Sequence, residues 1–210
     1  MTHTTRTLAV VSAGLSDPSS TRLLADRLTE ATVGELETAG HTVTVETIEL
    51  REHAHAVVDA MLTGFPTGDL ATVLNRLYAA DGLIAVTPLF TTTYSGLFKS
   101  FVDILDRDAL HDLPVLLAAT GGTPRHSLAL DYSMRPLFTY LHADVLSTAV
   151  FAATDDWAGQ DDRVNPLPER IARAGRDLAA AVAARQQAPT AADPFESTPS
   201  FAELLAREGL

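Results

Sequence analysis

Short apolar runs alternate along this chain with segments whose apolar positions recur every three or four residues. Leu8-Ala9-Val10-Val11 is a β-branched apolar run and predicts a buried strand. Residues 12–18 are small and turn-forming. The spacing of Leu23, Leu24 and Leu28 predicts a helix over 19–39, with Gly40 as its stop. Residues 42–48 alternate β-branched and polar positions and predict a second strand. Residues 50–58 carry His53 and His55, whose spacing does not share one helical face, so a surface segment is expected rather than a metal site. Residues 64–68 are turn-rich, and Asp69 is the expected cap of a helix bearing Leu70, Val73, Leu74 and Leu77. Gly82-Leu83-Ile84-Ala85-Val86 predicts a third strand that ends in Thr87-Pro88, followed by a loop from Leu89 to Tyr94 and an apolar helix over 97–105. A fourth strand is expected over 114–119, opening into Thr120-Gly121-Gly122-Thr123-Pro124, and then a helix over 125–141. A fifth strand over 145–151, an irregular polar stretch over 155–168 and an Ala-rich helix over 168–185 complete the pattern.

Strands that alternate with helices predict a parallel sheet covered on both faces, a three-layer α/β sandwich. Five strands whose first leads into a polar loop suit the order 2-1-3-4-5, with a ligand beyond the carboxyl ends of strands one, three and four. The loops at Ser12, Thr87 and Thr120 follow those three strands, so their convergence is an expectation of the topology. Residues 1–187 form the expected domain. Residues 188–210 read as a linker and a short docking segment, in which Ser200-Phe201-Ala202-Glu203 is a capping-box pattern and Phe201, Leu204 and Leu205 form an apolar face. So short a helix is marginal alone and is expected to dock on a sister subunit.

Composition narrows the chemistry. The chain has 210 residues, 46% of them hydrophobic, enough for a real core. It has no cysteine, which removes disulfides, iron–sulfur clusters and thiolate chemistry and suits a reducing cytoplasm. A net charge of −12 with no basic cluster argues against nucleic acid or an anionic membrane as partner. The first residues lack the build of a signal peptide, and no apolar run approaches a membrane span.

The first loop is a candidate anion site. The opening N–H groups of a helix lack intrahelical partners, and the helix dipole favours negative charge there. Ser19, Ser20 and Thr21 add hydroxyls and Arg22 adds a charge; the alternative is that Ser19 or Ser20 only caps the helix. The second loop offers Pro88, Leu89, Phe90, Thr91 and Tyr94, where Phe90 and Tyr94 could equally be packing residues. The third offers Gly121-Gly122, which admits a flat ligand or makes an ordinary turn. Phosphate at one loop and a planar ring at the other two describe a mononucleotide, and FMN fits better than a dinucleotide. Neither G-x-G-x-x-G nor a P-loop follows the first strand.

Thr87-Pro88-Leu89-Phe90 followed by Tyr94-Ser95-Gly96-Leu97-Phe98-Lys99 resembles the T-P-x-Y-x-x-x-Y-S-G-x-x-K signature of NADPH-dependent FMN reductases. Thr120-Gly121-Gly122-Thr123, His126, Leu128 to Tyr132 and Arg135-Pro136-Leu137 resemble their second signature. The likeness spans about residues 6–155 and is strongest to reductases that supply reduced flavin to two-component monooxygenases. It implies a flavodoxin-like fold and hydride transfer from NADPH or NADH to FMN, with flavin behaving as a diffusible substrate. It implies that Ser12, Ser19, Ser20 and Thr21 hold the phosphate, that Pro88, Leu89, Phe90 and Thr91 border the isoalloxazine and ribityl, and that Gly121, Gly122 and Thr123 contact the pyrimidine edge. His126 lies just inside the next helix, facing either the site or solvent. The first loop departs from the family: the usual G-S-x-R stands here as Ser12-Ala13-Gly14-Leu15, so Arg22 or the hydroxyls would substitute for the missing Arg.

Pro136 cannot return a hydrogen bond to the carbonyl of Tyr132, which predicts a bend or bulge there. In the flavin-donating reductases a tyrosine at the matching place marks a π-type insertion at a subunit interface. Tyr132 and Pro136, with Phe98 and Phe101 of the apolar helix over 97–105, are therefore the expected interface of a homodimer or homotetramer. A flavin-dependent monooxygenase is the implied partner. Two other readings share the fold: a flavodoxin-like electron carrier without pyridine-nucleotide activity, and an NAD(P)H quinone or azo reductase.

Overall fold

The computed structural model describes residues 4–157 and 165–185. The linker and docking segment over 188–210 lie outside the described residues. In chain order the elements begin with β1 (Thr5–Ser12), α1 (Ser20–Thr38) and β2 (Thr42–Glu49). A 3₁₀ turn (Leu50–His53), α2 (Ala54–Thr63) and α3 (Gly68–Tyr78) lead to β3 (Gly82–Phe90) and β4 (Thr93–Tyr94). Then come α4 (Gly96–Asp103), β5 (Pro114–Gly121), a 3₁₀ turn (Pro124–His126) and a π-helical turn (Leu130–Met134). The chain continues through α5 (Arg135–Tyr140), β6 (Asp144–Val145), β7 (Val150–Ala153), α6 (Thr154–Trp157) and α7 (Leu167–Ala184).

The sheet departs from the five-stranded 2-1-3-4-5 expectation. It has seven strands in the order β2-β1-β3-β5-β6, with β4 on β3 and β7 on β5. Two causes account for the extra strands. β3 runs past Val86 to Phe90 and folds back, so that Leu89 pairs Tyr94 and Phe90 pairs Thr93 in an antiparallel hairpin. The expected fifth strand is split because the Arg135 guanidinium donates to the carbonyls of Val145, Leu146 and Ser147, at 3.5, 2.7 and 3.4 Å. Those carbonyls leave the ladder, and pairing resumes only at Val150. All other strand pairs are parallel.

Alternate residues of each strand enter opposite cores, as period-two geometry requires. Ala9 and Val11 of β1 pack with α3, α4 and α5. Leu8 and Val10 pack with α1 and α7. The segment expected on the surface over 50–58 is half of a helix pair whose Leu50, Val57 and Ala60 are buried. The expected cap Asp69 lies within the first turn of α3, and Thr67 holds the cap position without a side-chain bond. A buried ion pair, Arg6–Asp81 at 3.2 Å, ties β1 to the start of β3, and Arg6 also donates to the carbonyls of Ala183 and Arg185.

The helix expected over 125–141 is broken into three pieces. The Arg135 N–H donates to the carbonyl of Leu130, five residues back, which closes a π turn around Tyr132. Pro136 follows at once, where no N–H is available for Tyr132. The structure also corrects half of the interface expectation. Phe98 and Phe101 lie inside the chain's own core, with the Phe98 ring 6.1 Å from that of Phe138. Tyr132 stays on the surface, 78% exposed. Among the described residues, no helix is long and apolar enough to cross a membrane.

Candidate active site

The parallel register brings the three expected loops to one rim. Ser12 pairs with Val86, and Pro88 pairs with Thr120, so the strands deliver their loops at nearly the same height. Between them lies a cavity of about 780 Å³. Ser19 and Ser20 line it from the first loop, Pro88, Leu89 and Phe90 from the second, and Thr120, Gly121 and Gly122 from the third.

Ser19 is the N-cap of α1, and its Oγ accepts from the N–H of Arg22 at 3.2 Å. Gly14 is needed opposite it, because a Cβ there would stand 2.1 Å from Ser19 Oγ. Thr21 lies behind the lining, buried, and its Oγ1 meets Thr120 Oγ1 at 2.9 Å. That bond stitches the first loop to the third. Ser12 is buried at the end of β1, and its Oγ has no hydrogen-bond partner among the described residues. Nor does any hydrogen bond among them occupy the N–H groups of Ser20 and Thr21.

Arg22 is not brought to the cavity. Its guanidinium is held by Asp26 at 2.7 Å and by Glu49. The bond to Asp26 raises its pKa further above the ordinary arginine value. Glu49 also meets Arg51 at 3.4 Å, and Arg51 meets Asp17 at 3.5 Å. The cluster braces the first loop against the end of β2. An arginine with two carboxylates on its own side has no reason to reach across the loop.

The second loop is a built hairpin. Thr87 Oγ1 accepts from the N–H of Ser95 at 3.1 Å, and Ser95 caps α4 by accepting from Phe98 N–H at 3.2 Å. Phe90 is 48% exposed beside the cavity. Thr91 sits at the exposed hairpin tip, outside the lining. Tyr94 packs on Phe98 with ring centroids 6.2 Å apart, so it serves the core. In the third loop, a Cβ on Gly121 would stand 2.9 Å from the Phe151 ring, whereas Gly122 opens on empty space. Thr123 caps the 3₁₀ turn through Arg125 N–H, and His126 ends that turn half-buried, outside the lining.

Sequence reasoning missed the far end of the cavity. Leu23 and Arg27 of α1 and Thr154 and Trp157 of α6 line it there. Arg27 could have been found, because it stands at helical spacing from Ser20. Trp157 falls in a stretch without periodicity and left no signal. A second cavity of about 520 Å³ lies across the third loop, but its Arg170 is engaged by Asp156 at 2.5 Å and by backbone carbonyls. No group of potential metal ligands occurs among the described residues.

Comparison with known proteins identifies the family. The profile of the NADPH-dependent FMN reductase family matches residues 6–158. A protein named FMN reductase (NADPH) from Pseudomonas aeruginosa is 36% identical over 166 residues, 78% of this chain and 86% of that one. The NADH-dependent FMN reductase SfnE of Pseudomonas putida is 38% identical over 151 residues, 72% of this chain and 78% of the relative. A crystal structure of an oxidoreductase from Corynebacterium diphtheriae superposes with a TM-score of 0.82 at 46% identity, covering 88% of this chain and all of that one. At 22% identity, the apo form of the NADH:FMN oxidoreductase EmoB shares the fold, with a TM-score of 0.72. With the signature loops lining one cavity of a flavodoxin-like sandwich and the family profile spanning that whole architecture, the chain belongs to the NADPH-dependent FMN reductases.

Proposed function

We propose that this chain is a cytoplasmic NAD(P)H:FMN oxidoreductase that hands reduced FMN to a separate flavin-dependent monooxygenase. The observation that carries the reading is the meeting of three sequence-distant loops around one cavity. Its volume falls within the roughly 300–1,000 Å³ of small-molecule sites. Its lining fits the two ends of FMN. Hydroxyls and open N–H groups at the start of α1 suit a phosphate, and the buried, unpartnered Ser12 Oγ lies at the foot of the same loop. Pro88, Leu89, Phe90 and the open face of Gly122 suit a flat ring.

FMN, when bound, supplies a reversible acceptor for the hydride of a reduced nicotinamide. The chain's own residues do the rest. Ser19, Ser20 and the backbone N–H of Thr21 would hold the phosphate, with each charge-assisted bond worth roughly 1.5–3 kcal/mol. The Thr87–Ser95 clamp holds the hairpin, so Leu89 and Phe90 border the ring from a fixed backbone. The backbone N–H groups of Gly122 and Thr123 would meet the polar edge of the ring, where preorganised donors stabilise developing charge. No side chain is asked to act as acid, base or nucleophile.

The exposed apolar residues around the π turn support a homodimer or homotetramer interface there. Leu128, Tyr132 and Tyr140 are 60%, 78% and 64% exposed. Mixing the protein with NADPH or NADH tests the main reading. Oxidation that depends on added FMN and saturates with it is the expected result. Bound flavin without FMN-dependent oxidation would instead leave an electron carrier.

A further inference from the structure

The cavity extends beyond the three loops. Past Ser20 it continues along α1 by Leu23 to Arg27, with Thr154 and Trp157 of α6 also lining it. Ser20, Leu23 and Arg27 are three and four residues apart and share one face of the helix. Arg27 stands about 10 Å of helix rise beyond Ser20. Its stem therefore begins two turns away from the N–H groups at the phosphate loop.

Arg27 is the only charged residue among the described residues that line the cavity. No carboxylate among the described residues pairs with it. Asp26, its neighbour in sequence, is bonded to Arg22 at 2.7 Å. Asp156, beside Trp157, is bonded to Arg170 at 2.5 Å and accepts from Ala153 N–H at 2.7 Å. In a chain of net charge −12, an exposed guanidinium at the cavity rim with no carboxylate partner among the described residues suits an anion. The Arg27 guanidinium carbon also lies 5.1 Å from the centroid of the Trp157 ring. The guanidinium covers one face of the ring, so a nucleoside phosphate would set its base on the other face and its phosphate on the guanidinium.

We propose that this arm of the cavity binds the adenylate end of a dinucleotide coenzyme, with Arg27 on its phosphate and Trp157 on the adenine. The inference rests on the flavin-reductase reading only for which coenzymes are offered. FAD continues from the FMN phosphate into an adenylate, and the reduced nicotinamide dinucleotides carry one at their far end.

Trp157 is the chain's single tryptophan, so its emission reports on the arm directly. Titrating the flavin-free full chain with 5′-AMP should quench that emission saturably. Arg27→Met, which keeps the apolar stem, should raise the apparent Kd at least tenfold, and Arg27→Lys should recover part of the loss. Steady-state kinetics then separate the two sources. A rise of at least fivefold in the ratio of KM for FAD to KM for FMN on Arg27→Met assigns the arm to FAD. A similar rise in the ratio for NADPH to reduced nicotinamide mononucleotide assigns it to the pyridine nucleotide. Emission insensitive to AMP, an unchanged Kd in Arg27→Met, or both ratios unmoved would overturn the proposal. Wild-type protein that quenches with AMP yet shows no FMN-dependent oxidation would overturn the reductase reading instead, while the AMP titration still decides the arm.

Discussion

Ser12 shows how one atom can separate stability from binding. Its Oγ is buried and unpartnered, and such a group costs about 1–3 kcal/mol. Ser12→Ala should therefore leave the flavin-free protein as stable or slightly more stable in a thermal melt. The same change should weaken FMN about tenfold in a fluorescence titration, or ~1.4 kcal/mol; unchanged affinity would make Ser12 a packing residue. The polar cluster of Ser19, Ser20 and Thr21 made the start of α1 legible, but not that Ser19 caps the helix while Thr21 turns to Thr120 behind the cavity lining. Nor was the charge beside them legible. Arg22 and Arg27 look alike in sequence, five residues apart on one helix. Asp26 and Glu49 claim the first, and only the fold shows that the second faces the cavity.

At the scale of elements, the hairpin after β3 is the instructive departure. Its two tip residues, Thr91 and Thr92, adopt φ of 49° and 76°. A two-residue turn with both φ positive favours Asn-Gly, and β-branched residues are strained there. Thr91→Asn with Thr92→Gly should stabilise the protein by about 1–2 kcal/mol, seen as a higher Tm. A melting temperature that stays put or falls would show that the tip carries no strain. Reading residues 89–94 as a loop missed the hairpin because its turn lacks every usual turn residue. A bend or bulge at Tyr132 was legible for the opposite reason. Pro136 has a definite chemical deficit, and the backbone four residues earlier must answer it. The split of the last strand was not legible, because it depends on Arg135 reaching three carbonyls across a loop.

At the scale of the whole molecule, Tyr132 tests the assembly. Tyr132→Ala should lower the oligomeric state in size-exclusion chromatography or speed flavin exchange, with little effect on Tm because the side chain is 78% exposed. Unchanged size and unchanged flavin retention would make it a surface residue. Phe98 and Phe101 no longer belong to that question, since their own core covers them. The sequence by itself determined the alternation of strands and helices, the two apolar faces of the sheet and the three loops at its carboxyl edge. Those features rest on local periodicity and turn chemistry, which act over a few residues. Only the tertiary structure decided how the three loops meet, which arginine faces the cavity, and that Trp157 joins Arg27 at its far end. Those outcomes depend on strand register and on which charges find partners across the fold, and neither is encoded in any short stretch of chain.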